Sequence, residues 1–236
     1  MSIEKKYHLA WWRRWLGRPF LRLTLGTLFR ILGRVKITGR ENIPFGKAYI
    51  LALNHVSLFD PPFLGVCFPE TVEALGASDV WDRPGQNILA SMWGGIPVHR
   101  GEYDRVAMET ALAALRSGRP LLIAPEGGRS HAPGMRLAKP GVAYLVEQAG
   151  VPVLPIGMVG TTDDFWHKAT HGERPVLEMR IGKPIQLPPI EGKGEARRQS
   201  RQQNADLIMR HIAGLLPEEY RGVYAHAPIF PDAQTG

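Results

Sequence analysis

From Gly39 onward the chain alternates short apolar runs with amphipathic stretches, and that alternation restricts its fold more than any other feature. "AYILAL" (48–53), "VEAL" (72–75), "IPV" (96–98), "LLIA" (121–124), "VPVLPI" (151–156) and "VLEMRI" (176–181) have the length and content of buried strands. Between them "DRVAMETALAALRSG" (104–118) repeats its apolar residues at helical spacing, with Asp104 placed to cap it and Gly118 to end it. "KPGVAYLVEQAG" (139–150) is a second helix that stops at a glycine, and "EARRQSRQQNADLIMRHIAGLL" near the carboxyl end is a third. Strands that alternate with helices predict an α/β architecture: a single-domain mixed sheet flanked by helices, with polar loops at one sheet edge as the usual site.

At 236 residues and 44% apolar content, the chain suits one sizeable domain better than two small ones. Its one cysteine, Cys67, excludes an internal disulfide and fits a reducing compartment. The opening "MSIEKKYHLAWWRRW" lacks the apolar core and small-residue cleavage site of a secretory signal. No run of eighteen apolar residues occurs, so a conventional transmembrane helix is not expected.

The net charge of +7 is unevenly placed. Residues 1–40 hold ten Lys or Arg and one acid, Glu4, or +9, which leaves 7 − 9 = −2 for the rest. This basic arm, 1–38, reads "HLAWWRRWLGRPFLRLTLGTLFRILGRVKITG" from His8, with Arg14, Arg18 and Arg22 recurring every four residues. Pro19 and Gly26 predict two helical pieces within it. Trp, Phe and Leu opposed by Arg suit a helix lying in the headgroup region of an anionic membrane. The other reading packs the Trp-rich face on the protein's own core and leaves the arginines in water. Nucleic acid is disfavoured as a partner by the many large aliphatics among the basic residues. The body, 39–225, forms the domain proper, and the proline-containing end, 226–236, is expected to be loosely ordered.

Three polar clusters sit where strands should end. "NHVSLFDPP" (54–62) follows the first long apolar run. A carboxylate at Asp60 can take the proton on one ring nitrogen of His55 and leave the other free as a base. Asp60-Pro61 is equally a helix start, and Ser57-x-x-Asp60 reads as a capping box. The same His-to-Asp spacing recurs in "HRGEYD" (99–104), so spacing does not choose between the two. "GGIPVHRG" (94–101) brings Arg100 to a strand end. "LLIAPEGGRS" (121–130) runs a strand into Glu126, Gly127, Gly128, Arg129 and Ser130. The two glycines let backbone N–H groups approach an anion and Arg129 can grip it in bidentate fashion, although a Gly-rich turn with a surface Arg–Glu pair has the same composition. No Lys-Ser or Lys-Thr follows these glycines, so this is not a nucleotide P-loop. Cys67 and Ser57 are further nucleophile candidates. Cys67 lies in the apolar run "FLGVCF", and nothing around Ser57 signals activation.

Four motifs in order resemble those of the glycerolipid acyltransferases, specifically the bacterial 1-acylglycerol-3-phosphate acyltransferases. "NHVSLFD", "GGIPVHR", "APEGGRS" and "VPVLPIG" carry the resemblance, which runs from about residue 35 to 185, and "LLPEEYRGVY" near the end looks familiar too. It implies that the body is an acyltransferase domain and that the product of acylating lysophosphatidate is phosphatidate. His55 would deprotonate the free glycerol hydroxyl and Asp60 would hold the imidazole. The acyl donor would be a thioester on coenzyme A (acyl-CoA) or acyl carrier protein, with no covalent acyl-enzyme, no metal and no further cofactor. Arg100, Glu126, Gly127, Gly128, Arg129 and Ser130 would shape the acceptor's phosphate pocket. Of these, Arg100 and Arg129 are the expected phosphate ligands, whereas Glu126, itself an anion, would position a neighbour. Gly128 stands where the family usually has Thr, which leaves the acceptor headgroup open to another lysolipid or a lyso-ornithine lipid. The resemblance also supports a peripheral or monotopic place on the cytoplasmic face of the cell membrane. A non-catalytic anionic-lipid-binding protein with the same fold is the remaining alternative.

Overall fold

The computed structural model describes residues 7–101 and 103–227. Seven strands form one sheet: β1 (Arg34–Thr38), β2 (Ile50–Leu53), β3 (Glu73–Ala77), β4 (Ile96–Val98), β5 (Leu121–Ile123), β6 (Val153–Val159) and β7 (Val176–Ile181). Their order is β1-β7-β6-β2-β5-β3-β4. Every neighbouring pair is parallel except β6 with β7. The mixed α/β sheet expected from the alternation is therefore the fold observed. Strand β2 lies at its centre and is fully buried, as its unbroken apolar sequence requires of a parallel strand covered on both faces.

Helices cover both faces. On one lie α1 (Arg18–Leu32), α2 (Asp60–Cys67), α3 (Gln86–Trp93) and α6 (Phe165–Thr170). On the other lie α4 (Arg105–Arg116), α5 (Gly141–Ala149) and α7 (Gly194–Leu215). Alternate residues of β2 feed the two cores: Leu51 and Leu53 pack with Leu21, Phe29, Phe63 and Phe165, while Ile50 and Ala52 pack with Leu112, Leu145, Ile208 and Ile212. Each fully buried Leu or Phe contributes about 1.5–3 kcal/mol. Cys67 is buried in the first core and burial raises its thiol pKa, so it is unsuited to nucleophilic chemistry.

The amino-terminal segment departs from its expected shape. Gly26 does not divide it, because α1 runs unbroken through that residue. A π-helical turn, Arg13–Gly17, precedes α1, and the widened register lets Pro19 enter the first turn, where its missing N–H costs little. Gly26 is buried, and a β-carbon there would lie 3.8 Å from the Val66 carbonyl of α2 and 3.0 Å from the Arg30 guanidinium. The glycine thus admits close packing. The sheet also begins within the arm, since Arg34–Thr38 pairs with β7 as its edge strand.

The basic row is likewise redistributed. Arg18 is fully buried and forks onto Glu73 at the start of β3, and its Nε donates to the Trp93 carbonyl at 2.7 Å. Glu73 also accepts from Arg119 at 3.0 Å and from the Tyr7 hydroxyl at 2.6 Å. Burial would raise the Glu73 carboxyl, but Arg18, Tyr7 and Arg119 together outweigh it and hold the group below its ordinary value. Arg22 donates to the Phe68 carbonyl at 2.8 Å, where α2 has ended and left backbone oxygens unpaired. Arg18 thus ties the arm to the sheet, and Arg22 ties it to the end of α2. The expected loose end, 226–236, lies outside the described residues from 228 on.

Candidate active site

Strands β2, β3, β4, β5 and β6 all run parallel, so their carboxyl ends reach the same edge of the sheet. That direction alone gathers the motifs. Asn54 and His55 follow β2, His99 and Arg100 follow β4, Glu126 to Ser130 follow β5, and Thr161 follows β6.

Asn54 extends the sheet one step past the end of β2. Its amide donates to the Met158 carbonyl at 3.0 Å and accepts from the Met158 N–H at 2.7 Å. The backbone then turns, and His55 Nδ1 meets Asp60 Oδ2 at 2.9 Å. Asp60 is wholly buried as the first residue of α2 and does not serve as its cap; Phe59 holds that position. The same Asp60 oxygen accepts the Ser57 N–H at 2.8 Å, and the other accepts the Thr161 hydroxyl. Ser57 Oγ donates to the Thr161 carbonyl and accepts the Phe59 N–H at 3.0 Å, so it braces the loop instead of completing a capping box. With Nδ1 committed to a buried carboxylate, Nε2 is the nitrogen left to accept a proton.

The glycine loop after β5 locks the histidine from behind. Glu126 Oε1 accepts the His55 N–H at 2.8 Å and Oε2 accepts the Arg136 N–H at 2.9 Å. The Ser130 N–H donates to the His55 carbonyl at 2.9 Å, and the His131 N–H to the Val56 carbonyl at 3.0 Å. Burial raises the Glu126 carboxyl above its ordinary value against the opposing pull of the Arg136 and His55 N–H donors. Glu126 thus positions backbone, and Ser130 turns its hydroxyl to the Ala132 carbonyl.

A cavity of about 500 Å³ opens beside the imidazole. His55, Arg100, Gly127, Gly128, Arg129 and Lys139 line its polar end, while Leu53, Leu75, Trp81, Leu89, Trp93 and Leu122 line its apolar part. Of the residues singled out from sequence, His99, Arg100, Gly127, Gly128 and Arg129 reach this cavity with His55. Glu126 and Ser130 are not among its lining residues. Gly127 needs its glycine: its φ is +67°, and a β-carbon would fall 2.7 Å from Lys139 Cδ. Thr161, Arg136 and Lys139 were not anticipated. Thr161 lies 101 residues from Asp60, and only the fold brings them together.

A family model described as acyltransferase matches residues 34–159. The 1-acyl-sn-glycerol-3-phosphate acyltransferase of Borreliella burgdorferi is 28% identical over 56% of this chain and 54% of its own length. A lyso-ornithine lipid O-acyltransferase of Pseudomonas aeruginosa is 29% identical over 63% of each chain. This chain spans between 54% and 61% of the length of the first three relatives it matches. A crystal structure of the 1-acyl-sn-glycerophosphate acyltransferase PlsC from Thermotoga maritima superposes with a TM-score of 0.60 at 23% identity, covering 83% of this chain and 79% of that one. That last likeness is one of fold.

Proposed function

This chain belongs to the acyltransferase family, and from that premise we propose that it moves a fatty acyl group from a thioester to the free glycerol hydroxyl of lysophosphatidate. The observation that carries this reading is one cavity that holds both the imidazole backed by a buried carboxylate and the guanidiniums of Arg100 and Arg129. His55 Nε2 takes the hydroxyl proton as the oxygen attacks the thioester carbon. A C–O bond forms, the C–S bond breaks, and the imidazolium returns its proton to the departing thiolate. Asp60 stabilises the imidazolium formed on the way. Arg100 and Arg129 hold the acceptor's phosphate, and the apolar walls take acyl chain. The thiol carrier is coenzyme A or acyl carrier protein. Thioester turnover should require lysophosphatidate and vanish in His55→Ala; full activity in that variant would refute the assignment.

Membrane contact is part of the proposal. Trp11, Trp15, Leu16, Phe20, Leu23 and Ile31 are each more than half exposed on one segment, with Arg14 exposed among them. This is the composition of a helix that lies in an interface. No helix among the described residues is long and apolar enough to cross a membrane. Deleting the arm would remove Arg18 from Glu73 and Phe29 from the core, so its test is substitution of Trp11, Trp15 and Phe20 by Ser. Loss of sedimentation with anionic vesicles is expected, and unchanged pelleting would overturn it.

A lyso-ornithine acceptor is the second reading. The Pseudomonas relative favours it, and an acceptor panel with one labelled thioester separates the two.

A further inference from the structure

The glycine pair carries more positive charge than the motifs account for. A β-carbon built on Gly128 would lie 3.5 Å from Arg136 Nη1 and 4.0 Å from Arg100 Nη1. Those two nitrogens are therefore at most 7.5 Å apart, the sum of the two distances. One phosphate group, with donors about 2.8 Å from two of its oxygens, bridges a gap of about this size. On the other side, a β-carbon on Gly127 would lie 3.3 Å from Lys139 Nζ. Arg129 completes the set at the cavity edge.

None of these four cations makes a salt bridge among the described residues. Glu126 accepts the backbone N–H groups of His55 and Arg136 with its two oxygens, and its charge also acts on Arg136. Cations gathered here without closing into ion pairs favour the arrival of an anion.

Arg136 is also held in place. Its own N–H is fixed by Glu126 at 2.9 Å, and its Nη1 donates to the Arg129 carbonyl at 3.1 Å. A β-carbon at 128 would make only ordinary contact with the Arg136 and Arg100 guanidiniums, whereas a longer side chain would enter the space between them. The φ of Gly128 is not in the left-handed region, so its backbone would accept any residue. What a larger residue would disturb is the room that the Arg136 and Arg100 guanidiniums share.

We propose that Arg136, with Lys139, binds the acceptor's headgroup in the space left open by Gly128 and selects a doubly charged phosphate monoester over a phosphodiester or an amino-acid headgroup. The inference rests on the reading that a lysolipid acceptor is acylated here. Two more cations beside Arg100 and Arg129 match a dianion with three free oxygens. They give less to a diester, which has one charge and two free oxygens, and less to an ornithine headgroup, whose single carboxylate is offset by its own ammonium.

The test measures kcat and KM with one acyl thioester and three acceptors: lysophosphatidate, lysophosphatidylglycerol and lyso-ornithine lipid. Arg136→Met should raise KM for lysophosphatidate about tenfold or more, the cost of one charged hydrogen bond, with kcat within about twofold. The other two acceptors should change less than about threefold. Arg136→Lys should fall between, since it keeps charge and loses the fork. Gly128→Thr should raise the lysophosphatidate KM in the same direction by crowding the guanidinium. An equal KM change for all three acceptors, or none, overturns the proposal even if the wild type acylates lysophosphatidate. A wild type inactive on lysophosphatidate defeats the functional reading instead. In that case glycerol 3-phosphate binding by calorimetry still decides the anion site: weaker binding by Arg136→Met supports it, and equal binding overturns it.

Discussion

Two stretches of this chain place a histidine five residues before an aspartate, and both pairs make the same bond. His55 Nδ1 lies 2.9 Å from Asp60, and His99 Nδ1 lies 2.8 Å from Asp104. Their surroundings differ. The His55 side chain is 11% exposed and Asp60 is wholly buried, whereas the His99 side chain is 72% exposed. Asp60 spends its second oxygen on Thr161 from the loop after β6, while Asp104 spends its own on the Ala107 N–H and so caps α4. One aspartate fixes a ring against the sheet; the other starts a helix. Contact distance does not make a base. The low dielectric around Asp60, and the absence of competing water, make its charge count at the imidazole.

The largest test of that contrast is to remove each ring in turn. His55→Ala should lower thioester turnover by about 10²–10⁴-fold, and His99→Ala should leave it within about fivefold. Equal losses in the two variants would erase the distinction. Asp60→Asn comes next. An asparagine can still accept from His55 and donate to Thr161, so the fold should survive, but the imidazolium loses its counter-charge. We expect kcat to fall about 10²-fold or more with KM little changed; a change confined to KM would assign Asp60 to binding.

Thr161→Val sharpens the contrast further by removing the hydroxyl that comes from outside the motif. Leaving a buried carboxylate oxygen unpaired should destabilise the protein by about 1–3 kcal/mol in chemical denaturation and slow turnover modestly. The smallest effect belongs to the exposed pair. Asp104→Ala should lower the melting temperature slightly through the lost cap and leave turnover near wild type. Bonds from the Ala107 and His99 N–H groups hold the Asp104 carboxyl down at about 2. Its folded value is depressed, so its contribution is complete above the unfolded value of about 4 and is lost as pH falls through about 2. A carbon-detected titration that placed Asp104 near 4 would show that the cap does not form in solution.

Local pattern made much of this legible. Runs such as "ILAL" and "VLPIGMV" are strands because their apolar residues leave no polar face, and Asp104 and Gly118 bracket α4 as their side chains dictate. His55, Asp60, Arg100 and Arg129 could be picked out because each follows an apolar run in a loop of turn-forming residues. Other elements were not readable. "RVKIT" looks like the tail of a basic arm, and only pairing with β7 makes it a strand. Arg18 carries the spacing of a surface residue, but Glu73 draws it inside. Arg136 and Lys139 are ordinary loop cations until the fold brings them beside Gly128 and Gly127.

From its sequence alone, the chain determines the alternation of strand and helix, the amphipathic arm and the two histidine–aspartate pairs that could supply a base, because periodicity and turn chemistry act over a few residues. Which of the two histidine–aspartate pairs is buried, which oxygen Thr161 reaches and which cations gather around Gly127 and Gly128 are decided only in the folded structure. Those outcomes depend on groups as much as 101 residues apart in sequence. Their energies appear only once water has been excluded between them.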